Sequence, residues 1–358
     1  MNVLTILGTR PEIIRLSRII ATLDERCQHT VLFTGQNLAA NLADVFFHEL
    51  GVRPPDDTLA IGQYPFAEQV GVLFSGVARV MARVRPDRVV ILGDTNSGLS
   101  ALLAARMGVP VYHLEAGNRC GDPRSPEEVN RRVIDHCSSV LMPYTRHSRD
   151  RLLREGIPSE RVHVVGNPIF EVLQLFEPQI AASGMLAHLG LEAGGYFLMT
   201  AHRAETVDVP ERLRTVLDTA SAVAATYGLP VVFPVHPRTR DRMQAILGDV
   251  VPPGLRLVEA LGFFDFVALE RHARACLSDS GTVQEECAIL GVPNVVIRDA
   301  TERPETVDTG ASIVTGLSRE PVLRALETLL ARTVTPAPPA DYVLPDVADR
   351  VTRLVLAS

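Results

Sequence analysis

No lysine occurs anywhere in these 358 residues, so all 35 basic side chains are arginine. That absence removes Schiff-base aldolases, pyridoxal-phosphate enzymes, Walker-A nucleotide hydrolases and kinases built on a lysine–glutamate pair. A GC-rich coding bias explains it, and the exclusions hold whatever the cause. Cysteine is scarce and unpatterned: Cys27, Cys120, Cys137, Cys276 and Cys287 are odd in number, scattered and without Cys-x-x-Cys spacing. This speaks against structural zinc and for a reducing cytoplasm. No apolar run approaches membrane-spanning length. The apolar Val3–Leu7 has no basic n-region before it and is soon followed by Arg10-Pro11-Glu12, so no signal peptide is expected. A net charge of −7 offers no global basic field for nucleic acid or an anionic membrane. A soluble cytoplasmic protein is expected, in which local arginines and helix ends must meet any anionic ligand.

What is present is a regular alternation of short apolar runs and amphipathic helical patterns. Strands are expected at Val3–Leu7, His29–Thr34, Arg88–Leu92, Pro110–Leu114, Val140–Pro143 and Val162–Val165. Helices are expected between them at Glu12–Leu23, Leu38–Leu50, Phe66–Val84, Ser97–Met107, Pro126–Cys137 and Arg146–Gly156. After Gly166-Asn167-Pro168 and a less regular stretch, the pattern restarts with strands Tyr196–Thr200, Pro230–Val235, Leu255–Val258, Ala275–Ser278 and Asn294–Ile297. Glu211–Tyr227, Arg238–Leu247, Phe263–Ala273 and Thr282–Leu290 are the helices of this second series, and Asp346–Leu356 is a final one. Length and pattern together predict two α/β domains, each a doubly wound parallel sheet with its own core.

Open α/β sheets bind ligands at the carboxyl ends of their strands. Gly8-Thr9-Arg10-Pro11-Glu12 follows the first strand and places Arg10 beside helix N-terminal amides suited to phosphate. It is no Gly-x-Gly-x-x-Gly fingerprint, so bound NAD is not supported. Asp94, in Gly93-Asp94-Thr95-Asn96, and Glu115, in Glu115-Ala116-Gly117, each end an apolar strand. Glu127 stands in the helix start Ser125-Pro126-Glu127-Glu128. Taken singly, Asp94 reads as a helix cap and Glu127 as a charge complementing the helix dipole. Together they put three carboxylates in one ligand crevice without a histidine cluster at metal spacing, a set suited to proton transfer. The second series supplies the anion side: His202-Arg203 after a strand, the small-residue turn Ser278-Asp279-Ser280-Gly281-Thr282 opening a helix that carries Glu286, and the charged loop Thr301-Glu302-Arg303-Pro304-Glu305. His236 reads as a structural histidine.

In this order the motifs resemble the UDP-N-acetylglucosamine 2-epimerase family, over nearly the whole chain. The resemblance implies two Rossmann-like domains in a glycosyltransferase-B arrangement with the active site in the cleft between them. They would span residues 1–168, joined by the final helix 346–358, and residues 169–345. It implies a cofactor-free route in which UDP is expelled across the sugar C1–C2 bond to leave 2-acetamidoglucal and is added back after protonation from the opposite face. Asp94, Glu115 and Glu127 would carry the acid/base steps, with His202 also in the catalytic set. Arg10, His202 and the Ser280-Gly281-Thr282 turn would hold the diphosphate, Glu286 the ribose, Phe266 the uracil, and Arg303 the sugar or phosphates. No metal is expected, and the implied partners are the UDP-sugar and a second copy in a homodimer.

The chain also departs from the family pattern. Arg15 stands where a lysine is usual, Thr282 replaces the second glycine of the phosphate turn, and Ala204 replaces an arginine. Gln36-Asn37-Leu38-Ala39 replaces a Gln-His-Arg-Glu-type segment that helps bind a second, activating UDP-sugar, so activation by substrate is not expected. Two segments, Glu115–Cys120 and Leu261–Asp265, look more like the branch acting in capsule and specialised amino-sugar pathways. Four other readings remain open at this point: an epimerase of a deoxy or uronic-acid UDP-sugar, a hydrolysing relative releasing ManNAc and UDP, a glycosyltransferase on the same scaffold, and a non-enzymatic UDP-sugar sensor.

Overall fold

A computed structural model describes residues 1–36, 40–122, 125–235, 237–248 and 250–357. The chain divides into two units, Met1–Leu175 with Asp341–Ser358, and Phe176–Ala340. The first contains β1 (Asn2–Leu7), β2 (Gln28–Phe33), β3 (Asp57–Thr58), β4 (Arg88–Leu92), β5 (Val111–Leu114) and β6 (Val140–Met142). They form a parallel sheet in the order β3-β2-β1-β4-β5-β6. The second contains β7 (Phe197–Thr200), β8 (Val231–Pro234), β9 (Leu255–Val258), β10 (Ala275–Ser278), β11 (Asn294–Val296) and β12 (Ser312–Val314). Its order, β12-β11-β10-β7-β8-β9, is the same doubly wound order counted from its own first strand.

Helices cover both faces of each sheet, which is why the central strands are largely apolar. In the second unit, alternate residues enter different cores: Phe197, Val231, Phe233 and Leu277 pack on one face, while Leu198, Val232 and Cys276 pack on the other. The strand order reverses between β1 and β4 in the first unit and between β7 and β10 in the second. Splayed loops at those two points make the crevices in which such sheets take ligands.

Two expected elements differ. Val162–Val165 forms a single bridge, Val162 with Leu141. His163 and Val165 donate to the Leu141 and Pro143 carbonyls at 2.9 and 3.0 Å, but Pro143 has no N–H to offer in return, so the ladder stops. The charged loop at Thr301–Glu305 becomes helical from Pro304, in Pro304–Asp308. β3, β12 and the helix Arg319–Leu330 were not anticipated. The expected helix at Leu38–Leu50 is Ala40–Glu49; Leu38 and Ala39 lie outside the described residues, as does His236.

The final helix, Val347–Leu356, buries Val351 and Val355 within the first unit. Asp349 meets Arg26 at 2.8 Å, and Glu171 accepts from the Ala348 N–H at 2.9 Å. Buried Arg88 donates to the Val355 carbonyl at the helix's last turn, where a cation offsets the negative end of the dipole, and its guanidinium lies 5.5 Å from the centre of the Tyr112 ring. Arg88→Met should therefore lower unfolding free energy by about 1.5–3 kcal/mol, the size of a charged hydrogen bond. Urea unfolding with an unchanged m-value would check this.

Candidate functional site

The first unit's crevice is organised by Glu12. This residue is 2% exposed. Its Oε2 accepts from the Gly8 N–H at 3.0 Å and the Thr9 hydroxyl at 2.8 Å, and its Oε1 from the Thr95 hydroxyl at 3.1 Å. At the third position of the helix Arg10–Arg26, Glu12 thus reaches back as in a capping box and also ties in the loop after β4. Burial, only partly offset by these donors, raises its pKa to about 7. Gly8 is required by crowding: a Cβ there would lie 2.1 Å from Thr34 Oγ1 and 2.2 Å from Ser97 Oγ. Gln36 holds the same turn by accepting from Ser97 N at 3.1 Å, whereas Asn37, Leu38 and Ala39 lie outside the described residues.

Register brings two of the expected carboxylates together. Leu92 pairs with Leu114, so Glu115 leaves its strand level with Gly93 and Asp94 follows one residue on. Glu115 has φ +63, a left-handed conformation that costs a non-glycine residue about 1–3 kcal/mol and often marks a functional position. Its Oε2 lies 3.4 Å from buried Arg15, and its Oε1 accepts from Asn118 at 3.3 Å. Asp94 is paired with Arg131, and its carbonyl accepts from Asn130 at 2.9 Å. Both partners sit on the helix Pro126–Cys137, whose first turn carries half-buried Glu127, hydrogen-bonded to the Ser125 hydroxyl at 2.7 Å. The neighbouring Glu128 is spent on structure: burial opposes its charge, yet the Cys120 N–H at 2.9 Å and Arg132 at 3.1 Å bring its pKa down. Arg10 lies half-buried over Phe46, 5.6 Å from the ring centre, and burial lowers its pKa.

In the second unit the organising group is Asp279, fully buried after β10. Its Oδ2 accepts from the His202 and Arg203 N–H groups, each at 2.9 Å, and its Oδ1 lies 3.1 Å from His202 Nδ1. Burial works against its charge, but His202 and the Arg203 N–H outweigh it and lower the pKa. The His202 side chain is 48% exposed, so its ring is held at one nitrogen and presented outward. Ser280 starts the helix Gly281–Leu290, and its own side chain makes no capping hydrogen bond. A Cβ on Gly281 would come within 2.8 Å of Glu302 Oε1, so a larger residue there would displace the Glu302 carboxylate. Gln284 fastens that segment, accepting from Thr301 at 2.6 Å and donating to the Arg303 carbonyl at 3.2 Å.

Arg303, expected near the sugar or phosphates, is buried against Glu285, and Arg203 and Arg298 share buried Glu302 at 2.8 and 2.7 Å. These arginines build the crevice wall. Glu286 is buried one turn into the helix, Thr282 is partly exposed in its first turn, and Phe266 packs at the edge of a core cluster. Among the described residues one trio, Glu270, Cys276 and Cys287, has ligand atoms mutually within 4.8 Å. Burial pushes the Cys287 thiol and the Glu270 carboxyl well above their ordinary values, and Cys276 and Cys287 pack within a buried apolar cluster.

The family model described as UDP-N-acetylglucosamine 2-epimerase matches residues 21–356. The chain belongs to the UDP-N-acetylglucosamine 2-epimerase family. A relative of that name from Methanocaldococcus jannaschii is 38% identical over 339 residues, 92% of each chain. The crystal structure of the M. jannaschii UDP-GlcNAc 2-epimerase, in complex with UDP-GlcNAc and UDP, matches with a TM-score of 0.93 at 35% identity, covering 100% of both chains. A Pseudomonas aeruginosa UDP-2,3-diacetamido-2,3-dideoxy-D-glucuronate 2-epimerase is 34% identical, covering 93% of this chain and 94% of its own.

Motif reading of this family member passed over the organising roles of Glu12 and Asp279, although both stand inside quoted motifs. The signal was their position, one turn into a helix or directly after a strand, where several amides converge. For Glu12 the balance has a pH signature. Between pH 4.5 and about 7 the unfolded chain has released this proton while the folded chain keeps it, so stability falls with rising pH across that window and levels off above it. Glu12→Gln should flatten the profile by roughly 3 kcal/mol between those limits. Urea titrations at several pH values would measure the difference.

Proposed function

We propose that the protein interconverts UDP-GlcNAc and UDP-ManNAc without net hydrolysis. The observation that carries this is the convergence of Asp94 and Glu115 from neighbouring strand ends with the helix start that bears Glu127. The hydrogen on C2 lies beside an acetamido group, so removal to an enolate is not open. A carboxylate takes that proton as the C1–O bond breaks, UDP leaves with the electron pair, and 2-acetamidoglucal remains. A second carboxylate delivers a proton to the opposite face of C2 while UDP oxygen re-forms the bond at C1. Charge on the departing diphosphate is met by His202, Arg10 and the helix start at Ser280-Gly281-Thr282. Glu286 takes the ribose hydroxyls, Phe266 the uracil, and Arg303 lines the site through its Glu285 pair. Arg15, against Glu115, sets the sugar side. The proposed enzyme needs no cofactor and works as a cytoplasmic homodimer, its five cysteines being free thiols.

The Pseudomonas relative favours a second reading, in which the substrate is a diacetamido uronic-acid UDP-sugar. Incubating each nucleotide sugar in deuterated water and following C2 by NMR separates the possibilities. Deuterium at C2 of an intact UDP-GlcNAc/UDP-ManNAc mixture is expected; free ManNAc as sole product would overturn the proposal. Glu115→Gln and Glu127→Gln should each reduce kcat on the order of a hundredfold, with UDP affinity by calorimetry largely intact. Turnover hyperbolic in UDP-GlcNAc, with no lag in reverse, is expected from the Gln36–Ala39 segment, and sigmoidal kinetics would contradict it. Arg15→Lys keeps the charge but loses the planar fork. The expected change is in the relative kcat/KM for the two sugars.

A further inference from the structure

Asp135 has no place in the reaction described above, yet it is fully buried and is linked to both loops that carry the proposed proton-transfer groups, to one through His113 and to the other directly. Its Oδ1 lies 2.8 Å from His113 Nδ1. The other ring nitrogen, Nε2, is 2.8 Å from the Gly93 carbonyl, which can only accept, so that nitrogen carries a proton and the ring is fixed in one orientation. Gly93 is the residue before Asp94. On its other oxygen Asp135 accepts from the Gly117 N–H at 3.2 Å and meets Arg119 at 2.8 Å. Gly117 is two residues past Glu115, in the turn whose left-handed backbone aims that side chain. Arg119 is itself clamped by Glu155 at 2.9 and 2.7 Å. Burial opposes the Asp135 charge, and His113 and Arg119 overcome it, so the carboxyl stays below its usual range. Finally, Asp135 stands eight residues after Glu127 on the helix Pro126–Cys137, about two turns away.

We propose that Asp135 is a positioning residue for epimerisation. Acting through His113 on the loop of Asp94 and directly on the turn of Glu115, it holds both at a set distance from Glu127 on its own helix. The inference rests on the epimerase reading. Elimination and re-addition use carboxylates on opposite faces of one carbon, so an error in their separation harms turnover without weakening the grip on UDP, which in that reading comes from Arg10 and from residues of the other unit.

Asp135→Asn keeps the volume and one acceptor but removes the charge that holds His113 and Arg119. His113→Gln retains an N–H donor for Gly93 while breaking the link to Asp135. For each variant we would measure UDP binding by calorimetry, kcat and KM for UDP-GlcNAc, and the release of 2-acetamidoglucal. Expected is a fall in kcat on the order of tenfold to a hundredfold, the scale of an ångström misplacement, with KM within about twofold. The share of turnovers that release 2-acetamidoglucal should rise, because the second proton delivery lags the first; a merely structural role would not move that partition. Unaltered kcat and partition in both variants would overturn the proposal. Loss of folding or of UDP binding in step with turnover in both would also overturn it, making the network a folding element. Failure of the unaltered protein to exchange deuterium at C2 removes the epimerase reading and this inference together.

Discussion

A carboxylate taken out of water must gather donors or give up its charge, and this chain uses that demand to fasten its loops. Glu12 collects the amide of Gly8 and hydroxyls from two loops; Asp279 collects the amides of His202 and Arg203; Asp135 collects His113, Arg119 and the amide of Gly117. In each case the carboxylate holds a donor from a segment far from its own, Thr95 for Glu12, His202 for Asp279 and His113 for Asp135, so one desolvated group ties two segments together. The first of the three pays with a raised pKa, because its donors are neutral. The other two stay ionised because a histidine or an arginine joins the set.

The two units apply one strand order to opposite chemistry. At the crevice of the first, strand ends and a helix start present acceptors, Asp94, Glu115 and Glu127, each hydrogen-bonded or ion-paired by its neighbours. At the crevice of the second, the reversal point presents donors: an exposed histidine ring and a helix N-terminus. The arginines around that second crevice neutralise buried glutamates. An arginine count taken from the sequence therefore overstates the cationic groups open to a ligand.

Much of this was legible beforehand because apolar runs and helical periods are local signals. Arg88–Leu92, Leu255–Val258 and Ala275–Ser278 form strands with the expected bounds, and Phe66–Val84 and Pro126–Cys137 helices likewise. Asp57–Thr58 was hidden because two polar residues on a sheet edge carry no apolar pattern; Arg319–Leu330 was readable, its buried Val322, Ala325, Leu326 and Leu329 following a helical period. Motif reading placed Asp94, Glu115 and Glu127 at strand ends and a helix start correctly. It missed His113 and Asp135, since one lies inside a strand and the other at a helix end. A buried polar residue in such a place declares its purpose only when the partner, 22 residues away, is seen beside it.

The first unit is assembled from both ends of the chain, whereas the second is one continuous stretch. A ribosome works from the N-terminal side onward, so the unit begun first is the one finished last: Arg88 and Glu171 wait for Val355 and Ala348, which emerge only after the whole second unit has been made. During synthesis the later-encoded unit can therefore close before its predecessor is complete, reversing the N-to-C order in which multidomain chains generally mature.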